Sequence, residues 1–178
     1  MTRRNAATIV WALLCAAAIG QMIYYYPQLP ERVASHFGPT GAPDGWTTRQ
    51  GLTTCYLLVV SFMMVMFTAL AYGIPKMPVS LINLPNKAYW LGPERKEETF
   101  SLIRGSFLWF GSATMLLLID IFRQAFILNI SGDKSLSHPL LALGCYMAFA
   151  LVWSIGMIAR FVRMKAPRAG PTDLRKGR

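Results

Sequence analysis

The chain has 178 residues, is 54% hydrophobic and still carries a formal net charge of +10. Its charges fall in short blocks between long uncharged stretches, which argues against a soluble domain and for a bilayer protein. The basic residues do not share a soluble face with stacking aromatics, so no nucleic-acid partner is expected.

Four stretches reach the roughly 20 apolar residues that a helix needs to cross a bilayer core. The fold expected is therefore an all-α integral membrane domain over 1–178, with spans at 7–26, 52–74, 102–128 and 139–162. The first follows Thr2-Arg3-Arg4, and with Ala16-Ala17-Ala18 it has the look of a signal peptide. Its apolar run continues to Tyr26, however, which makes it an uncleaved first helix ending in the aromatic cluster Tyr24-Tyr25-Tyr26. A loop over 27–51 follows. It is punctuated by Gly and Pro, with Pro43-Asp44-Gly45 as a turn, so a compact, structured loop is expected. Within it Phe37 and Trp46 are placed to bury themselves at the membrane surface, and Glu31 or Asp44 to accept hydrogen bonds from loop amides. The second span is rich in Met and stops at Pro75. Met63, Met64 and Met66 read as adaptable core or lipid contact rather than a metal path.

The loop over 75–101 carries Asn86, Tyr89, Trp90 and Leu91, structural residues suited to the headgroup region. Pro93 is placed to begin a helix, with Glu94, Glu97 and Glu98 complementing its dipole, and that helix is expected to run unbroken into the third span. Small residues at Ala16, Ala17, Ala18, Gly20, Gly105 and Gly111 permit close helix approach. No internal repeat suggests a transporter built from inverted halves. The tail over 163–178 is basic and rich in Pro and Gly, which predicts a disordered end associated with anionic lipids.

Orientation follows from Lys and Arg near the span ends. Fourteen lie on the side of the two termini and the 75–101 loop, against three or four on the side of the 27–51 and 129–138 loops. Both termini are therefore expected in the cytoplasm.

Leu29-Pro30-Glu31-Arg32-Val33-Ala34-Ser35-His36-Phe37, followed by Gly41-Ala42-Pro43-Asp44-Gly45-Trp46, resembles the DUF1648 domain that opens SdpI-like bacterial membrane proteins. The segment from Asn83 to Leu91, with Glu94-Arg95, looks like one that accompanies this domain in a short, stand-alone subgroup. The resemblance implies a bacterial inner-membrane protein. The named member of that group is an immunity protein that protects its producer from a secreted toxic peptide and signals the peptide's presence.

Asp120 and Arg123 are the ionisable pair within a span, and such residues are functional candidates by default. Their i, i+3 spacing lets them neutralise each other, and the bland alternative is an interfacial ion pair that sets helix rotation. Gln21, Gln124, His36, Asp44 and His138 fall at the same depth, with His138 placed to cap the fourth span. Two His and two Asp could form a metal site, but no HxH or HxxxH spacing gathers them, so no metal and no cofactor is expected. No nucleophile or oxyanion donor stands beside His36 and Asp44, so the protein is read as a non-enzyme. The three cysteines, Cys15, Cys55 and Cys145, lack CxxC or Cys/His spacing and read as small hydrophobes.

Two functions remain. In the first, the outer loop and the outer-leaflet cluster (His36, Phe37, Asp44, Trp46, Asp120 and Arg123) recognise an extracytoplasmic ligand or secreted peptide. In the second, the chain is an accessory subunit packed against a larger bacterial membrane complex, with Trp109 and Trp153 as candidate contacts.

Overall fold

The computed structural model describes residues 3–138 and 140–163; the basic tail expected beyond them lies outside the described residues. Four helices, α1 (Arg3–Tyr25), α2 (Arg49–Gly73), α4 (Lys96–Ser131) and α5 (Leu141–Val162), carry the four expected spans. All four are long and apolar enough to cross a membrane. Between α1 and α2 lies an antiparallel hairpin of β1 (Arg32–Phe37) and β2 (Pro43–Thr48). Between α2 and α4 lie short 3-10 turns and one helical turn, α3 (Lys87–Trp90).

The helix ends follow from local chemistry. Thr48 caps α2 by accepting from the Gly51 N–H at 3.0 Å, the usual role of a threonine that precedes a helix. Helix α4 begins at Lys96, not at Pro93, because Gly92 to Arg95 first form a turn in which the N–H groups of Arg95 and Lys96 both reach the Gly92 carbonyl. Glu97 and Glu98 nevertheless occupy the first turn of α4, where they complement the helix dipole. The helix then runs 36 residues without a break, about 54 Å at 1.5 Å per residue. It stops at Gly132, whose φ of +76° closes the end with a bond to the Leu128 carbonyl.

The main core joins α1, α2 and α4. Trp11, Ala18 and Met22 from α1, Tyr56, Val60 and Phe67 from α2, and Leu108, Met115 and Phe126 from α4 form one buried cluster. In a bilayer such contacts hold by close packing rather than by escape from water. Two of the small residues serve that approach. Ala18 is fully buried, and a Cβ on Gly111 would lie 2.7 Å from Cγ of Phe67. Gly20 and Gly105 face open space, and Ala16 and Ala17 are exposed, so these four do not mediate helix contact. Met63, Met64 and Met66 pack at the margin of this core.

Helix α5 is peripheral. It lies against α4 through the stacked rings of Phe110 and Phe149 and a 2.9 Å hydrogen bond between the Thr114 and Tyr146 hydroxyls. Phe161 is its single buried residue among those described. That ring joins a second, smaller core with Ile82, Leu91, Phe100 and Ile103.

Candidate recognition surface

The hairpin is built on the end of the bundle and fastened at three places. At its base, the Arg49 guanidinium donates to the Leu29 carbonyl (3.2 Å) and to Oε1 of Glu31 (2.8 Å), and lies over the Tyr26 ring. The Arg49 N–H also donates to the Glu31 carbonyl. Along β1, the side-chain amide of Asn129 on α4 takes both backbone groups of Ala34. Its oxygen accepts from the Ala34 N–H (2.6 Å) and its nitrogen donates to the Ala34 carbonyl (3.0 Å). At the tip, the Leu136 N–H donates to the Gly41 carbonyl (2.9 Å), and Gly41 itself needs its φ of +80° to close the turn with Gly38.

Leu29 and Val33 are buried beneath the hairpin in the main core, while Ala34, also buried, lies opposite Trp46 on the other side. The other side carries polar and aromatic groups. Trp46 is 54% exposed, with the Arg32 guanidinium 5.7 Å from its ring centroid. His36 Nδ1 contacts Oδ1 of Asp44, and both side chains are largely in solvent. This meeting depends on Gly45, because a Cβ there would come within 2.9 Å of the His36 Cβ. The strand register is irregular around His36, and such a bulge re-aims a side chain.

The expected site residues thus fall into separate groups. His36, Asp44 and Trp46 share the hairpin's open face, while Phe37 is half-buried. Glu31 and Asp44 bind side chains, Arg49 and His36, rather than the loop amides expected of them. Asp120 and Arg123 belong to a different set. Arg123 reaches Oδ1 of Asp120 at 3.4 Å, but the shorter bond is from Gln124 Nε2 to Oδ2 at 2.7 Å. Gln124 is buried and also accepts from the His138 N–H at 3.0 Å. His138 therefore ties the last loop to α4 through its backbone; its side chain is not the cap of α5, whose flanking residue is Leu140. Asp120 further lines a recess of about 290 Å³ between α4 and α5, with Leu116, Leu117, Tyr146 and Phe149. No group of three His, Cys, Asp or Glu side chains gathers as for a metal ion among the described residues. Gln21 is drawn into the helix contact, donating to the Ile119 carbonyl and meeting the Tyr56 hydroxyl.

At the opposite end of the bundle, Asn86 and Trp90 turn towards α5. The Asn86 amide donates to the carbonyls of Phe161 (3.2 Å) and Val162 (2.9 Å), and the Trp90 indole donates to that of Phe161 (2.8 Å). Carbonyls at a helix end lack partners within the helix, and here a distant loop supplies them. Asn86 adopts φ +53° to do so. Tyr89 packs edge-on against Trp90 and lies under the Arg95 guanidinium.

Residues 13–60 match DUF1648, a domain of unknown function. The matched stretch takes in the second half of α1, the whole hairpin and the first half of α2. No curated protein and no solved structure matches the chain. The DUF1648 segment contains His36, Asp44, Trp46 and the Arg49 clamp, whereas Asn129, which docks it, lies outside.

Sequence reasoning missed Asn129. An asparagine at the end of an apolar run is unremarkable, and its partner is a backbone that carries no residue signature. Arg49 counts in the sequence only as one of the few basic residues on its side, although an arginine two residues before the Gly of Thr-Thr-Arg-Gln-Gly also suits a helix start below a hairpin.

Proposed function

We propose that this is a non-catalytic, multi-pass protein of a bacterial inner membrane, with both termini in the cytoplasm, whose hairpin recognises a ligand or peptide outside the cell membrane. The orientation rests on the excess of Lys and Arg around the termini and the 75–101 loop. The observation that carries the recognition reading is the hairpin's two-sidedness. Leu29 and Val33 are buried against the helices, and Asn129, Arg49 and Leu136 fasten one edge and both ends, while the other face holds Arg32, Trp46, His36 and Asp44 ready in water. A surface fixed before binding loses little freedom on binding, and tryptophan and arginine are among the residues most enriched at binding hot spots. An immunity-like or sensing role, as in SdpI-like proteins, would use such a face.

A second reading, an accessory subunit of a larger membrane complex, draws support from α5. Leu141, Met147, Leu151, Val152, Ile155 and Ile158 are all exposed on it, a flank on which another membrane protein could pack.

One experiment separates the two. A photo-crosslinking amino acid is placed at Thr48 on the hairpin or at Met147 on α5, and intact cells are irradiated. A covalent adduct from position 48 that is absent from position 147 supports recognition by the hairpin. Adducts from 147 alone, to one protein at fixed stoichiometry, replace it with the accessory role.

A further inference from the structure

The hairpin has two edges, and among the described residues only one is closed. In an antiparallel pair, opposed residues alternate between those that exchange both backbone bonds and those whose backbone groups point outward. Ala34 gives its N–H and its carbonyl to Asn129, so the Ala34–Trp46 pair is of the outward kind. The Arg49 N–H to Glu31 carbonyl bond fits this phase, since 31 and 49 stand three positions along each strand from 34 and 46. The N–H and carbonyl of Trp46 therefore point away from β1 on the far edge of β2. The N–H of Thr48, opposite Arg32, points the same way.

Neither edge is treated alike by the rest of the protein. The amide of Asn129 imitates a third strand on the β1 side. The β2 side is left with a donor, an acceptor and a second donor at the spacing of one extended chain. Exposed strand edges are templates for another strand, and proteins often block them with charge, proline or a covering loop. Pro43 limits the edge at one end and the α2 helix at the other, which leaves room for a short segment. The side chains beside this edge have their own preference. Glu31 is satisfied by Arg49, and Asp44 by His36. Arg32 lies over Trp46 and has no carboxylate partner among the described residues.

Resting on the recognition reading above, we infer that the ligand is a short extended peptide that adds to the free edge of β2 as a third strand and sets a carboxylate against Arg32. Backbone bonds to Trp46 and Thr48 supply register, and alternate side chains of the peptide lie over the Trp46 ring, as in other cases of strand addition.

The test uses the full chain in lipid nanodiscs and, as probe, a displayed library of random linear decapeptides. Recovered peptides are synthesised, and hydrogen exchange of the unaltered protein is followed with and without them. The expected result is slowed exchange at the amides of Trp46 and Thr48, no change at Ala34, and an acidic residue or free C-terminus common to the binders. Trp46→Pro removes the outward N–H without breaking a bond to β1 and should weaken binding beyond the loss seen in Trp46→Ala, by about tenfold for one hydrogen bond. Arg32→Gln should lose the preference for acidic peptides. Exchange on the unaltered protein decides the matter should Trp46→Pro fail to fold. Peptides that bind through Trp46 and Arg32 yet leave the two amides exchanging freely would overturn strand addition while preserving recognition by the hairpin. Failure to recover any binder, with a non-peptide adduct at position 48 in the crosslinking experiment, would overturn the peptide and again keep the recognition face. Absence of both would sink both readings.

Discussion

The side-chain amide of Asn129 pairs with Ala34 as one β-strand residue pairs with another, accepting from its N–H at 2.6 Å and donating to its carbonyl at 3.0 Å. A helix thereby closes the edge of a hairpin 95 residues away in the chain. Asn129→Ala removes both bonds and leaves the half-enclosed Ala34 backbone without partners, a cost of about 1–3 kcal/mol. Faster hydrogen exchange across β1, with α1 and α2 unchanged, is the expected reading. Asn129→Asp keeps the acceptor but sets a carboxylate oxygen against the Ala34 and Ala125 carbonyls, so it should be no milder than Asn129→Ala.

Gly111 faces Phe67 so closely that an added Cβ would lie 2.7 Å from the ring carbon. Gly111→Leu should therefore destabilise the bundle by about 1–3 kcal/mol, the usual range for overpacking, measured by unfolding in mixed detergent and SDS micelles. Phe67→Ala in the same chain should recover part of the loss, a coupling that a double-mutant cycle reads directly. Gly105→Ala, where the space is open, serves as the control and should be neutral.

His36 and Asp44 touch in solvent, with side-chain exposures of 76% and 52%. An exposed pair of this kind contributes about 0–1 kcal/mol, so His36→Ala should leave the unfolding midpoint almost where it was. Any loss of ligand binding in this variant then reports on recognition, not on folding. A large fall in the midpoint would show instead that the pair is structural.

Between the two residues of the α4 cluster, Gln124 should matter more for stability than Asp120. Gln124 is buried and holds the His138 N–H on one side and the Asp120 carboxylate on the other, so Gln124→Leu strands two partners. The expected cost is about 1–3 kcal/mol, whereas Asp120→Asn keeps an acceptor for Gln124 and should cost less. The comparison is made in the same unfolding assay.

Asn86→Ala should free the last turn of α5, since its amide donates to two of the final carbonyls. The check is proteolysis or hydrogen exchange at residues 158–163, which should rise while the α1–α2–α4 core stays protected.

The spans were legible because each is a long uninterrupted apolar run, and the hairpin loop because Gly, Pro and a DUF1648-like pattern crowd into one short stretch. Helix α4 was expected from Pro93 and starts instead at Lys96. Its first four residues are charged or polar, and the start is held where Thr99 and Phe100 are buried against the Trp90 loop. The pairing of His36 with Asp44 was within reach of the sequence, being local to one turn. Asn129 with Ala34, Gln124 with the His138 backbone and Asn86 with the end of α5 were not, because each joins a side chain to a distant backbone and so leaves no mark in residue type. Trp90 illustrates the same limit: its composition suits a membrane interface, but its indole N–H is taken by a helix end.

The order in which the helices enter the main core carries a consequence for how the protein is made. Trp11, Tyr56, Phe67, Leu108 and Phe126 all lie before residue 130, so the chain can complete its packed body while α5 is still inside the ribosome. Helix α5 then arrives as the last piece, laid along a finished wall and latched at its end by Asn86 and Trp90. Nascent chains arrested with α5 still inside the ribosome, and α4 already out, should display the hairpin docked on Asn129.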